Sequence, residues 1–124
     1  MSELKIELTG DRTSFKPGEL LSGRASWRAD SQPTSVELRL FWYTSGKGTQ
    51  DVGVVQTTMF DSPRQDDRRD FTMPLPLEPY SFSGTLISII WAIELIVEPD
   101  EHVERCEIVL SPTGQEVVLG SESA

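Results

Sequence analysis

Apolar and polar residues alternate along most of this chain, and the longest such stretch spans residues 86–97. One side of the stretch is wholly apolar, while the other side is mixed and carries Ser88 and Glu94. A repeat of two residues is typical of a β-strand with one face in the core. The β-branched and aromatic side chains that fill the stretch also favour a strand over a helix. The sequence therefore predicts one long central strand here.

The same alternation predicts about seven further strands, separated by turn residues. Pro17 and Gly18 suit the centre of a type II turn, because proline presets the first φ and glycine accepts the positive φ that follows. Pro74 is expected to end a short strand, since proline lacks the donor that a ladder needs. The predicted strands cover residues 4–8, 21–27, 36–43, 52–60, 69–73, 86–97, 102–110 and 115–119.

No segment predicts a helix, and few connections could hold a crossover helix between parallel strands. The predicted fold class is therefore all-β, an antiparallel β-sandwich of two sheets. Trp27, Trp42 and Trp91 are the expected large side chains of its core. The first strand is short and carries Lys5 and Glu7 on one face, which is typical of a strand near a sheet edge.

Composition narrows the possible functions. The 124 residues predict a single domain over residues 1–119 and a flexible tail over residues 120–124. Acidic residues outnumber basic ones 20 to 11, for a formal net charge of -9, which argues against nucleic acid and anionic lipid as general partners. A single cysteine, Cys106, and the lack of a leader before the first strand predict a reducing cytoplasm. Glu94 and Glu98 interrupt the apolar stretch, which argues against an integral membrane segment.

Two motif segments occur in order along the chain. The first is Phe15-Lys16-Pro17-Gly18-Glu19, followed by Ser22-Gly23 and Trp27, and the second runs through residues 71–76 and 79–84 into Ile87-Ser88-Ile89-Ile90-Trp91. Their order and separation resemble the signature of arrestin-fold domains over most of residues 4–98. The resemblance implies an immunoglobulin-like, arrestin-like β-sandwich of the kind found in arrestins, the arrestin-like retromer subunit and bacterial sporulation-control proteins. It also implies an adaptor or scaffold rather than a catalyst.

Two features depart from the pattern of that family. Its members usually carry two such domains in tandem, whereas this chain has room for one. The paired lysine of the first strand is also missing, because Lys5 stands alone between Leu4 and Ile6. The inter-domain mechanism of receptor-binding arrestins and the sensing of a phosphorylated receptor tail are therefore not carried over to this chain.

His102 and Cys106 are the residues that a nucleophilic pair would need. On a strand they share a face but lie about 13 Å apart at 3.3 Å per residue, far beyond hydrogen-bond distance. We therefore expect Cys106 to be a small packing residue and His102 a turn residue. The sequence predicts no catalytic residue and no enzymatic activity.

The acidic residues in the polar and charged stretch of residues 61–70 are candidate cation ligands, but their spacing does not match a calcium loop. Interspersed arginines nearly cancel their charge, so a solvated hairpin loop is the favoured interpretation. With one histidine and one cysteine, a transition-metal site is not available either, and we predict no metal and no cofactor. The residues concerned are Asp61, Asp66, Asp67 and Asp70 with Arg64, Arg68 and Arg69.

Pro76-Leu77-Glu78-Pro79 has the P-x-x-P pattern of segments that dock into aromatic grooves. A structural corner is favoured instead, with Leu75, Leu77 and Phe82 packed against the sandwich.

Acidic residues also concentrate around the last turn, which is typical of a solvated face and could steer a basic partner. They are Glu94, Glu98, Asp100, Glu101, Glu104 and Glu107.

An open sandwich has unpaired edges, and a single domain has no second domain to cover them. The expected function is therefore a non-catalytic protein–protein interaction module, an adaptor or scaffold. It would bind through a sheet edge or through the face that bears Phe41 and Tyr43. The partner would be another protein or a second copy, giving a homodimer. Two alternatives stay open: a structural subunit of a larger assembly, and a small-ligand-binding or hydrolytic domain with suitably spaced acids.

Overall fold

The computed structural model describes residues 3–46, 51–77, 81–83, 87–99, 101–111 and 117–118, with the backbone alone at residues 82, 83, 87, 117 and 118. This part of the chain forms ten strands and a short 3-10 helix, which confirms the predicted all-β class. The strands are β1 (Glu3–Leu8), β2 (Ser14–Phe15), β3 (Leu20–Arg28), β4 (Ser35–Gly46), β5 (Val52–Met59), β6 (Asp66–Pro74), β7 (Phe82–Ser83), β8 (Ile87–Glu98), β9 (His102–Leu110) and β10 (Val117–Val118).

The first sheet has three antiparallel strands with β3 in the middle, between β1 and β6. Its strands approach closely because β3 has a glycine at its centre. A Cβ atom at Gly23 would collide with the carbonyl oxygen of Glu7 on β1 and would press on the ring of Phe71 on β6. The small residues predicted in this strand thus permit close approach, here of neighbours within the sheet.

The second sheet is built on β8, the long central strand predicted from the sequence. One edge of β8 pairs with β4 along its whole length, and β4 pairs in turn with β5. The other edge pairs with β9 and, further along, with the short strand β7. Two parallel pairings complete the sheet, β2 with β9 and β10 with β7.

The core lies between the two sheets, where the inward side chains of each strand meet. Trp91 is fully buried and Trp27 nearly so, as predicted. Trp27 also satisfies its indole N–H by donating to the carbonyl of Arg64 at 2.8 Å. Trp42 is only partly buried and packs against the margin of the core, over Gly53, where an added Cβ atom would collide with its ring.

Local predictions were mostly right. Gly18 has φ of 78° and the amide of Glu19 donates to the carbonyl of Lys16 at 3.1 Å, so the predicted turn forms. Pro74 is the last residue of β6, as predicted. The start of that strand was predicted wrongly, because β6 begins at Asp66 rather than three residues later. The predicted tail over residues 120–124 lies outside the described part of the chain.

Candidate functional site

Strand β5 forms a free edge of the second sheet. It pairs with β4 on one side, and no other described strand pairs with its second side. Among the described strands of more than two residues, it alone carries no charged side chain. Native proteins usually protect an edge with charge, proline or a bulge. Strand β5 keeps a bulge at Val55 but has neither charge nor proline, so it is open to another strand.

The outer face of β5 is mostly apolar, which is unusual for a solvated surface. Residues opposite each other in an antiparallel pair share a face. The alternate residues of β5 that end at Val52 and Met59 have as their partners on β4 Tyr43, Phe41, Arg39 and Glu37. These alternate with the core residues of β4 and therefore lie on the outer face. We call the outward set of β5 the β5 strip, and it consists of Val52, Val54, Thr57 and Met59. The exposed fractions of its apolar members are 63%, 54% and 56%.

The two predicted partner-binding residues, Phe41 and Tyr43, lie beside this strip, opposite Val54 and Val52. Their rings stack at a centroid distance of 6.0 Å. Phe41 is only 6% exposed. Arg105 of β9 covers both rings, with its guanidinium carbon 5.2 Å from the Phe41 centroid and 5.3 Å from that of Tyr43. The aromatic pair therefore lies one strand in from the edge, on the same face as the β5 strip, and packs beside it.

Charged groups fix this arrangement. Arg105 donates to Glu94 at 3.0 Å, which raises the pKa of the guanidinium and orients it over the two rings. The hydroxyl of Tyr43 donates to Glu107 at 3.0 Å. Burial raises the pKa of Tyr43, and the bond to the Glu107 carboxylate raises it further. Two of the acidic residues predicted to form a solvated face thus hold the aromatic cluster in place.

The contact between Tyr43 and Glu107 gives a testable prediction. The substitution Glu107→Gln should lower the pKa of Tyr43, because it removes a negative charge that disfavours the phenolate. Ultraviolet difference titration would measure this shift in a Tyr80→Phe background, which leaves Tyr43 as the single tyrosine. Glu104→Gln, at another exposed position of the same strand and on its opposite face, is the matched control. An unchanged Tyr43 pKa in Glu107→Gln would contradict the contact.

His102 and Cys106 both lie on β9, which is a strand as predicted, but His102 is the first residue of that strand rather than the expected turn residue. They stand opposite Val97 and Ile93, four positions apart along the ladder, so the strand keeps them from forming a pair. Cys106 packs against the core. Burial raises the pKa of its thiol, and Glu104 and Glu107 raise it further. A raised pKa makes the thiol less reactive, and the position of Cys106 against the core fits the expected packing role.

The candidate cation ligands do not gather into one site. Three of the four aspartates lie in β6 rather than in a solvated hairpin loop, so that interpretation was wrong for them. Asp70 pairs with Arg24 at 2.9 Å and Asp66 with Arg28 at 3.4 Å, both across the β3–β6 ladder. In the described ranges, no three His, Cys, Asp or Glu side chains are placed to hold a metal ion.

Asp67 is the aspartate that sequence reasoning misjudged most, because it is buried. Its carboxylate accepts hydrogen bonds from Arg69 at 2.9 Å and from the backbone amides of Arg68 and Arg64 at 2.8 and 3.2 Å. Arg69 also donates to the carbonyl of Asp61 at 2.9 Å. This cluster, the Asp67 clamp, fixes the loop that carries the chain from β5 to β6. The charge pattern resembled a solvated loop, and only the backbone path reveals the burial.

The proline-rich corner follows the prediction in part. Leu75 is buried as expected, and its amide donates to the carbonyl of Glu19 at 2.9 Å. Leu77 was predicted to pack against the sandwich but is 69% exposed. It follows the end of β6 at Pro74, and a Cβ atom at Gly18 would come into contact with its side chain. Glu78, Pro79 and the side chain of Phe82 lie outside what the structure describes.

An open groove of about 790 Å³ lies at one end of the sandwich, where β1, β3, β6 and β9 come together. Its lining carries charges of both signs, and several are already paired. Arg28 lies 3.4 Å from Asp66 and 3.9 Å from Glu3. These pairs leave the groove with little net field to attract a charged ligand.

None of the described residues forms a helix with the length and apolar character needed to cross a bilayer. No protein-family model matches this chain, and no curated protein matches it.

The chain has an arrestin-like β-sandwich fold, which confirms the resemblance inferred from its motifs. Among solved structures it is similar to Spo0M, a sporulation control protein from Bacillus subtilis, with 15% sequence identity and a TM-score of 0.64 over 89% of this chain and 49% of that one. This chain therefore spans about half the length of that protein. It is also similar to part of a β-glucosidase from Listeria innocua in complex with gluconolactone, with 14% identity and a TM-score of 0.50 over 94% of this chain and 16% of that one. At these identities the likeness concerns the fold alone.

Proposed function

We propose that this chain is a non-catalytic protein-interaction module, an adaptor or scaffold, that binds an extended segment of a partner along β5. The observation that carries the proposal is the uncharged free edge of β5 with the exposed β5 strip beside it. Backbone N–H and C=O groups on a free edge bind any extended segment, and the adjacent side chains select among segments. A partner strand would therefore bond to the backbone of β5 and cover the strip.

The aromatic cluster gives the surface a fixed shape. Phe41 and Tyr43 lie directly across from Val54 and Val52, and Arg105 packs over both rings. Because the rings are already packed, a partner would meet a supported strip rather than mobile side chains. A preformed surface reduces the ordering cost of binding. In this proposal, Phe41 and Tyr43 lie on the neighbouring strand and mainly hold the β5 strip in place.

Charge restricts the kind of partner. A chain of formal net charge -9 repels nucleic acid, so a protein is the favoured class of ligand. One cysteine in 124 residues, with its thiol kept protonated, is compatible with a reducing cytoplasm as the place of action.

The test introduces the same threonine-to-lysine substitution at one edge strand of each sheet. Thr57→Lys places a charge on β5, and Thr72→Lys places the same charge at an exposed position of β6, the edge of the other sheet. Proteins captured from the native cell by immobilised chain would be quantified by mass spectrometry for both variants and for the unmodified chain. We expect Thr57→Lys to lose partners that Thr72→Lys retains, with both variants folded by circular dichroism. Equal capture by all three would contradict binding through β5.

A further inference from the structure

We propose that the segment that binds β5 is β5 of a second copy of this chain, paired antiparallel about a twofold axis. The inference rests on the proposed function, because it identifies the partner of the same edge. It follows from three features of β5, namely the direction of its backbone groups, the position of its bulge and its lack of charge.

Hydrogen bonds at the two ends of the β4–β5 ladder decide which backbone groups of β5 face outward. At one end, the amide of Thr44 donates to the carbonyl of Asp51 at 2.9 Å. At the other end, the amide of Phe60 donates to the carbonyl of Val36 at 3.0 Å. Antiparallel ladders alternate between bonded and non-bonded pairs. From each end, bonded and non-bonded residues of β5 alternate inward as far as the bulge at Val55. The non-bonded residues point their N–H and C=O groups away from β4, and they are the members of the β5 strip.

The β5 strip matches itself in one antiparallel register. Val52 then lies opposite Met59 of the second copy, and Val54 lies opposite Thr57 of the second copy. Each of these pairs joins two residues with outward backbone groups, so each can exchange two hydrogen bonds. Because the axis repeats both pairs, all four members of the strip are paired in each copy.

The bulge is what makes this register consistent for side chains as well. In a regular strand, residues three positions apart lie on opposite faces. Val54 and Thr57 are three positions apart but share the outer face, since Val55 adds one residue between them. Pairing Val54 with Thr57 of the second copy therefore brings two outer side chains together. Val52 and Met59 of the second copy meet on the same face, so the exposed apolar side chains cover one another.

Charge favours a second copy over a basic partner at this edge. Each chain has a formal net charge of -9, so two copies can approach closely only where acidic side chains are absent. Strand β5 is such a place, whereas β1 and β6, the edges of the first sheet, carry several charged residues each. A basic partner would be attracted by acidic side chains, which β5 lacks.

The first test is the oligomeric state. Sedimentation equilibrium over a broad concentration range should show a reversible dimer, and the dimer should strengthen as sodium chloride is raised, because salt screens the repulsion between two acidic chains. Thr57→Pro removes an outward N–H donor without touching the ladder to β4, and it should raise the dimer dissociation constant roughly tenfold or more. Thr72→Lys on β6 should leave that constant unchanged. A strict monomer at the highest concentration, or association that weakens with salt, would overturn the proposal.

The second test reads the register. In a Cys106→Ala background, chains with Val54→Cys would be mixed with chains with Thr57→Cys under mild oxidation. Residues directly opposite in a bonded pair lie about 5.5 Å apart at Cα, within the range of a disulfide. The mixture should therefore form a disulfide-linked dimer much faster than Val54→Cys chains alone. Equal rates in the two samples would exclude this register.

The outcomes separate this inference from the proposed function. If the chain is monomeric but Thr57→Lys still abolishes capture of other proteins, the second copy is excluded and the interaction module stands. If Thr57→Lys alters neither self-association nor capture, both are excluded.

Discussion

Replacing Trp91 by alanine is expected to destabilise the domain by about 3–5 kcal/mol, the range for removal of a large buried aromatic side chain. Trp91 is fully buried on the central strand β8, between Trp42 of β4 and Ile108 of β9 in the ladder. Its indole contacts the core between the sheets, so its loss leaves a cavity that the rigid ladders on both sides cannot close. A loss of this size is a large part of the stability of an ordinary domain.

Urea unfolding followed by far-ultraviolet circular dichroism would measure this effect, since the substitution itself alters tryptophan fluorescence. Trp91→Phe is the matched control, because it keeps an aromatic ring in the site and should lose much less stability. The unfolding midpoint should fall while its slope stays constant. A Trp91→Ala variant with an unchanged midpoint would show that the two sheets do not close over this residue.

Replacing Asp67 by asparagine is expected to cost about 2–3 kcal/mol, because hydrogen bonds to a buried charged group are among the stronger ones. The side chain of Asp67 is 3% exposed and that of Arg69 is 28% exposed. The amide of asparagine cannot accept from Arg69 and from two backbone N–H groups at once. Asp66→Asn is the matched control on the adjacent residue, where both members of the ion pair are exposed and the expected loss is under about 1 kcal/mol.

The contribution of Asp67 to the stability of the folded domain should depend on pH. Burial alone would raise the pKa of its carboxyl group, but hydrogen bonds from Arg69, Arg64 and Arg68 outweigh burial and lower that pKa far below its usual 3.8. A lowered pKa in the folded state contributes stability that is present above pH 3.8 and is lost as the pH falls below that value. The stability difference between the unmodified chain and Asp67→Asn should therefore shrink on acidification. A difference that stayed constant from neutral to acidic pH would contradict the Asp67 clamp.

Alternation of side chains predicted most of the fold. The long stretch of residues 86–97 became β8, and the Pro17-Gly18 turn formed as expected, because both depend on local chemistry. The strands that were missed, β2 and β7, have two residues each; β2 is defined by pairing with the distant strand β9, and β7 by pairing with β8 and β10. A pattern of two residues is too short to be recognised in a sequence.

The candidate site was predicted only in outline. An open edge was expected, but β5 could not be chosen from the sequence, since its outer face depends on the register with β4 and on the bulge at Val55. The alternation of this strand is also interrupted at Val54 and Val55, which hides the strip. The cover that Arg105 provides over Phe41 comes from a strand far along the chain, and no local pattern indicates such a contact.

The loop behind the Asp67 clamp ties the edge strand to the opposite layer of the sandwich. Trp27 of β3 holds the carbonyl of Arg64, and Gln65 donates to the carbonyl of Ala29 at 3.0 Å. Fraying of β5 from its end near Met59 would therefore disturb the first sheet as well as the second. Whatever occupies the edge would then raise the melting temperature of the whole domain rather than order one strand alone.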